Sequence, residues 1–171
     1  MPTQQALKIS NAVCLIFLRL SRLLGGHCIP VDPIYLAYVA NEVGVPATFI
    51  KRANEVNLAM PAYVVKRVIA GASGSVKGKS VVVVGVSYKA NVADTRETPA
   101  ASIIDLLRGV GATVTWHDPL VGSWRGESSA ELGARDVAVV VTKHDVVSVS
   151  DIKKSSYVFD CTGSIPGADG I

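Results

Sequence analysis

The chain has 171 residues, 49% hydrophobic and 18% charged, enough apolar side chains for a sizeable core and the wrong composition for a disordered polymer. Seventeen Lys and Arg against fourteen Asp and Glu leave a net charge of +3, too small and too dispersed for a nucleic-acid groove, though compatible with small anionic ligands. The length accommodates one domain or two small ones and excludes two full nucleotide-binding domains of about 100–150 residues each.

From Gln4 to Leu24 apolar residues at Leu7, Val13, Phe17, Leu20 and Leu24 recur at roughly helical intervals and predict an N-terminal helix. Its apolar run Ala12–Leu18 is closed by Arg19, well short of the ~20 residues that cross a bilayer, so no membrane span is expected. Arg19 and Arg22 also interrupt the place where a signal-peptide cleavage site would follow. Cys14, Cys28 and Cys161 match neither a zinc cluster nor a disulfide framework. Reduced thiols, a cytoplasmic location and no metal are expected.

Gly25-Gly26 ends the first helix, and Pro30 and Pro33 make residues 25–33 a loop. Pro33 opens a second helix with an apolar stripe at Tyr35, Leu36, Val39 and Val43, ending near Gly44. A longer helix follows from Ala47 to about Ala70, with Pro61 either kinking it or joining two helices.

After a polar linker at 75–79 the pattern changes. Ser80–Val84 is a β-branched run without alternation, as in a parallel strand buried on both faces. The loop 85–97 leads to a helix over Thr98–Arg108, with Ala101, Ile104, Leu106 and Leu107 as its apolar residues. Thr113–Trp116, Val137–Val141 and Val158-Phe159 are the further strands. Strands alternating with helices imply an α/β fold with right-handed crossovers and ligands beyond the carboxyl ends of the strands.

Two stretches concentrate chemistry. The loop from Gly85 to Pro99 lacks the three-glycine dinucleotide fingerprint, yet it places Lys89 and Arg96 beside a helix start, where free amides favour anions. From spacing alone, a solvated charge cluster of Asp94, Arg96 and Glu97 is the simpler reading of the same stretch. In Gly25-Gly26-His27-Cys28-Ile29-Pro30-Val31-Asp32-Pro33 the glycines permit close approach, the Cys28 thiolate can attack a carbonyl carbon, and Asp32 can orient water or move a proton. The alternative is an inert packed cysteine; His27, its neighbour in an extended loop, is not thereby its base.

Residues 25–33 resemble the catalytic-cysteine signature of the NAD-dependent nucleotide-sugar 6-dehydrogenases, the UDP-glucose/GDP-mannose dehydrogenase family. Arg52-Ala53-Asn54-Glu55-Val56-Asn57 with Met60-Pro61 is similar to that family's central helix. Gly85-Val86-Ser87-Tyr88-Lys89, Asp94-Thr95-Arg96-Glu97-Thr98-Pro99 and His117-Asp118-Pro119 resemble its UDP-binding domain. The Gly-Gly-His-Cys form is most like the UDP-N-acetylmannosamine and UDP-N-acetylglucosamine branch. The resemblance therefore implies a helical central layer followed by a Rossmann-like parallel-sheet UDP-binding domain. It divides the chain into an N-terminal helix of unclear origin at 1–24, the cysteine loop and central helical dimerisation region at 25–73, and the UDP-binding α/β domain at 74–171.

It further implies a four-electron oxidation of a UDP-N-acetylhexosamine at C6, from alcohol to carboxylate, with two NAD molecules as successive hydride acceptors. Cys28 would form a thiohemiacetal and then a thioester, and Asp32 would assist water or proton transfer. Gly25 and Gly26 would admit the substrate, Tyr88 and Lys89 would contact the nucleotide sugar, and Arg96 would reach the NAD pyrophosphate across the domain interface. Residues 1–24 do not resemble the family's segment ahead of the cysteine, and no glycine fingerprint is present. No arginine follows Phe159-Asp160-Cys161-Thr162-Gly163 where some members carry one, and Cys161 reads as structural. The expectation is the C-terminal part of such a dehydrogenase, incomplete alone, partnered as a homodimer or by a separate NAD-binding half. Apolar surface on 7–24 and on the central helices is expected to be exposed. The alternatives are a non-catalytic nucleotide-sugar-binding or dimerisation module, and an unrelated thiol enzyme using Cys28 and His27.

Overall fold

The structure is a computed structural model and describes residues 31–171. The expected first helix, Gly25, Gly26, His27 and Cys28 lie outside the described residues.

The described chain opens with α1 (Asp32–Glu42), which carries Pro33 in its first turn, so helix begins slightly earlier than the end of the loop expected at 25–33. Gly44, at φ 76, turns the chain out of the helix, its amide reaching the Asn41 carbonyl at 3.1 Å. α2 (Thr48–Gly71) then runs unbroken through Pro61. Of the two outcomes expected at Pro61, a join between helices is thus excluded. The proline ring is itself buried, beside Val64, Val65 and Val68.

Those four residues mark where packing begins. The C-terminal half of α2 lies on the sheet and on α3 (Pro99–Gly109), whereas α1 has no buried residue and packs on α2. Tyr35, Leu36, Val43 and Phe49 are among the large apolar side chains left exposed, as expected for the central helices.

Five parallel strands form the sheet: β1 (Ser80–Val84), β2 (Thr113–His117), β5 (Val137–Val140), β6 (Tyr157–Asp160) and β7 (Asp169–Gly170), in the order β2-β1-β5-β6-β7. In β1, Val81 and Val83 join the core shared with α2 and α3, while Val82 and Val84 face Val147, Ile152 and Ile165. Both faces are dry, which is why the run carries no alternation. The one-turn helix α4 (Val149–Ile152) supplies Ile152 to the second face.

Thr98 caps α3 by accepting the Ala100 amide at 3.3 Å, and Pro99 takes the first turn. The buried face of α3 is Ala100, Ile103, Ile104 and Leu107, a correction to the expected face: Leu106 is exposed and Ala101 only partly covered. The i, i+3, i+4, i+7 spacing from Ala100 sets the stripe that meets the sheet.

Three short features escape the sequence reading, the one-turn helix α4 among them. Edge strand β7 is two residues long, too short to carry any pattern. β3 (Ser123–Trp124) and β4 (Glu127–Ser128) form a hairpin whose two turn residues, Arg125 and Gly126, both have positive φ, at 53 and 79. Trp124 sets its ring edge-to-face on Trp116, centroids 6.0 Å apart, and Arg108 reaches Glu127 at 2.8 Å, so the hairpin is fastened to both sheet and helix.

One glycine is indispensable to the joint between β1 and β5. Gly85 has φ 85, and a Cβ there would overlap the Thr142 carbonyl group. Gly85→Ala is therefore expected to cost about 3 kcal/mol or more, because strain and overlap coincide in rigid backbone. Thermal unfolding followed by circular dichroism checks this; a melting temperature within a degree or two of wild type, about the reading error, would refute it.

Candidate functional site

β1 connects through α3 to β2 on one side, and the next core strand, β5, lies on the other side of β1. The strand order thus reverses between β1 and β5, the position beyond whose carboxyl ends open α/β sheets bind ligands. Residues 85–98, 117–122 and 141–148 converge there.

At the centre of the convergence is Asp118, whose side chain is fully buried. Its Oδ2 accepts from the amides of Val86 and Ser87, both at 3.0 Å, and from the Ser87 hydroxyl at 2.9 Å. Its Oδ1 accepts from the Leu120 amide at 3.0 Å. The Nε2 of the equally buried His144 lies 3.0 Å from Oδ2. It is a close polar contact rather than a regular hydrogen bond, beside the three donors that already serve that oxygen. Burial by itself would raise the Asp118 carboxyl. His144 and the bonds from Leu120 and Ser87 outweigh it and hold the group below its ordinary value.

The other ring nitrogen of His144, Nδ1, accepts the Asn91 amide at 2.8 Å. Nδ1 is therefore bare and the ring proton sits on Nε2, toward Asp118. Asn91 also exchanges two side-chain bonds with Asp145: its amide nitrogen donates at 2.8 Å and its oxygen accepts from the Asp145 backbone at 3.0 Å. Thr142 donates from Oγ1 to the Ser87 carbonyl at 2.7 Å. The loop after β1 is thus sewn to the loops after β2 and β5.

Of the residues singled out in the sequence, Tyr88, Lys89 and Arg96 share this loop. Tyr88 is half-buried, its amide donating to the Asp94 carbonyl at 2.9 Å, and Lys89 is exposed. Arg96 is exposed and grips Asp94 bidentately, Nε to Oδ1 at 3.0 Å and Nη2 to Oδ2 at 2.6 Å, which raises its already high pKa. The solvated-cluster alternative thus describes Asp94 and Arg96 as they stand, while Glu97 stands apart with φ 51. Asp32, exposed in the first turn of α1, has no hydrogen bond or ion pair to any of these. Cys161 is buried in the core, in keeping with a structural role.

The residues that organise the site, Asp118, His144, Thr142 and Asn91, carried little individual signal. Asp118 stood out only within His117-Asp118-Pro119, and nothing in spacing pairs it with His144. Among the described residues no three potential ligands gather for a metal ion, and no helix is long and apolar enough to cross a membrane.

A dinucleotide does not fit this crevice. The amides that would cradle a pyrophosphate, those of Val86 and Ser87, are already taken by an internal carboxylate, and residue 87 is a serine with its hydroxyl turned inward. Arg96 remains available only as one charge at the rim.

Two family models match the chain: the UDP-glucose/GDP-mannose dehydrogenase family, UDP binding domain, over residues 82–165, and the central domain of the same family over residues 5–59. The second match takes in residues 5–24, the stretch set apart in the sequence. A UDP-N-acetyl-D-mannosamine dehydrogenase of Methanococcus maripaludis is 36% identical over 135 residues, which is 77% of this chain and 30% of that protein. The UDP-glucose 6-dehydrogenase TuaD of Bacillus subtilis is 35% identical over 68% of this chain and 24% of its own length. The chain therefore spans about a third or less of the curated relatives it matches. The UDP-N-acetyl-mannosamine dehydrogenase Cap5O of Staphylococcus aureus superposes with a TM-score of 0.65 at 28% identity, over 88% of this chain and 37% of that one. A UDP-glucose dehydrogenase of Pyrobaculum islandicum shares the fold, with a TM-score of 0.72 at 22% identity over 88% of this chain and 37% of that one.

A carboxyl held down in the folded state contributes stability that is complete above its unfolded value, about pH 4, and is lost as pH falls through the lower folded value. Asp118→Asn should accordingly cost about 2 kcal/mol at pH 7, with the gap to wild type narrowing below about pH 4. Urea unfolding across that range measures it; a gap that does not change with pH would contradict the assignment.

Proposed function

Since the chain belongs to the UDP-glucose/GDP-mannose dehydrogenase family, we propose that it is the C-terminal part of an NAD-dependent nucleotide-sugar 6-dehydrogenase acting on a UDP-N-acetylhexosamine in the cytoplasm. In this reading residues 25–73 are the cysteine loop and central helical region, and residues 74–171 bind the UDP moiety. The observation that carries it is the placement of the 88–97 loop. Beyond the carboxyl end of β1, inside the span matched by the family's UDP binding domain, it offers a half-buried Tyr88 and an exposed Lys89. An aromatic ring and an ammonium side by side suit a base or sugar together with a diphosphate.

Cys28 supplies the covalent step. Its thiolate adds to the C6 aldehyde to form a thiohemiacetal, and at the thioester level water releases the C6 carboxylate and returns the thiol. Asp32, early in α1, assists the water or carries the proton. Gly25 and Gly26 let the substrate approach. NAD supplies the oxidising capacity when bound; since the described residues build no cradle for it, Arg96 is one rim contact and the remainder comes from outside them. A homodimer, or a separate NAD-binding half, is the partner this reading calls for, and the exposed apolar side chains of α1 favour such a contact.

A second reading, a non-catalytic nucleotide-sugar-binding or dimerisation module, is favoured by one observation, the occupation of the crevice amides by Asp118. The two separate cleanly. On the first, the chain, supplied with its missing half where needed, forms reduced nicotinamide from NAD and a UDP-N-acetylhexosamine, and Cys28→Ser abolishes it while leaving UDP affinity unchanged. On the second, UDP binds but no turnover appears under any arrangement. Lys89→Ala should weaken UDP binding about tenfold, as for loss of one charge-assisted contact to a phosphate. Titration calorimetry reads this, and unchanged affinity would remove Lys89 from the site.

A further inference from the structure

We propose that His144 and Asp118 are positioning residues for the 88–97 loop: one buried imidazole, set against one buried carboxylate, fixes both ends of the segment that presents Tyr88 and Lys89. That the segment meets a nucleotide rests on the function proposed above; that it is held in this way does not.

Tyr88, Lys89 and Ala90 lie between two anchors. The first is Ser87, whose amide and hydroxyl both donate to Asp118 and whose carbonyl accepts from Thr142 at 2.7 Å. The second is Asn91, whose amide donates to His144 Nδ1 at 2.8 Å and whose side chain makes the two bonds to Asp145. Both anchors return to the same buried pair, because His144 Nε2 sits 3.0 Å from the Asp118 oxygen that holds Ser87. Asn91 also has φ 63, a left-handed backbone that turns the loop back and that asparagine tolerates better than most residues.

The chemistry explains why a histidine stands here. The position needs an acceptor toward the Asn91 amide and a donor toward Asp118, at two points of one rigid, fully buried side chain. Neutral imidazole has one bare and one protonated nitrogen and meets both demands. Asparagine reaches the first point alone, and alanine neither. A histidine that merely filled the core would not distinguish these replacements, whereas a positioning residue does.

The test uses the whole chain and two readouts. Amide hydrogen exchange of peptides covering 88–97, in the absence of nucleotide, reports the loop itself, with β5 peptides reporting global stability. Calorimetric titration with UDP reports the site. His144→Ala should speed exchange around residue 91 about tenfold while β5 stays protected, and weaken UDP binding by a similar factor, the loss of one buried hydrogen bond. His144→Asn should restore most of the protection and part of the affinity. If His144→Ala does not fold, His144→Leu carries the same expectation, since it fills the buried site and offers the Asn91 amide no acceptor. Loop exchange that matches wild type in the folded variants, or that asparagine fails to restore, overturns the inference. Wild-type protein that binds no UDP overturns the nucleotide reading, and the exchange readout still decides the positioning role.

Discussion

The Asp118 carboxylate sits where three chain segments meet, and the architecture of the site depends on its being both charged and satisfied. A buried carboxylate without partners is expensive, and a half-satisfied network is worse than an apolar one. Here both oxygens accept bonds, from the amides of Val86, Ser87 and Leu120 and the Ser87 hydroxyl, with His144 beside them. Those donors come from the ends of β1, β2 and β5. The carboxylate thus joins three parallel strands at the end where their hydrogen-bond ladders stop.

That arrangement shapes what the sheet can do. Amides at the end of the first strand of a parallel sheet are the usual resting place of a ligand phosphate. With those amides occupied by an internal anion, the ligand contact proposed above falls on the loop carrying Tyr88, Lys89 and Arg96. On the proposed function, a domain that grips a nucleotide sugar from its rim and leaves the dinucleotide to residues outside those described accords with a chain that spans about a third or less of its relatives.

Packing divides the described residues unevenly. From Pro61 onward the chain has a dry core on both faces of the sheet, with each fully buried Val or Ile worth roughly 1.5–3 kcal/mol relative to exposure. Before Pro61 the helices lie beyond it. α1 packs on α2, and Tyr35, Leu36 and Phe49 are exposed. The same helix α2 is therefore a core element at one end and an extended arm at the other.

The sequence by itself determined much of this framework. The Val81–Val84 run implied a strand buried on both faces, because only such a strand dispenses with alternation, and the glycines and prolines placed the principal breaks. The ordered motifs located the family and the loop of Tyr88, Lys89 and Arg96. Tertiary structure alone decided which face of α3 is buried, because Ala100 and Ala101 are chemically equivalent until the sheet selects one. It also decided the hairpin around Arg125-Gly126 and the edge strand β7, whose lengths are too short to carry periodicity. Above all it decided the pairing of Asp118 with His144 and of Asn91 with both His144 and Asp145. Local pattern reports only what lies within a few residues along the chain, while these contacts are made between the ends of strands whose order in the sheet differs from their order in the sequence.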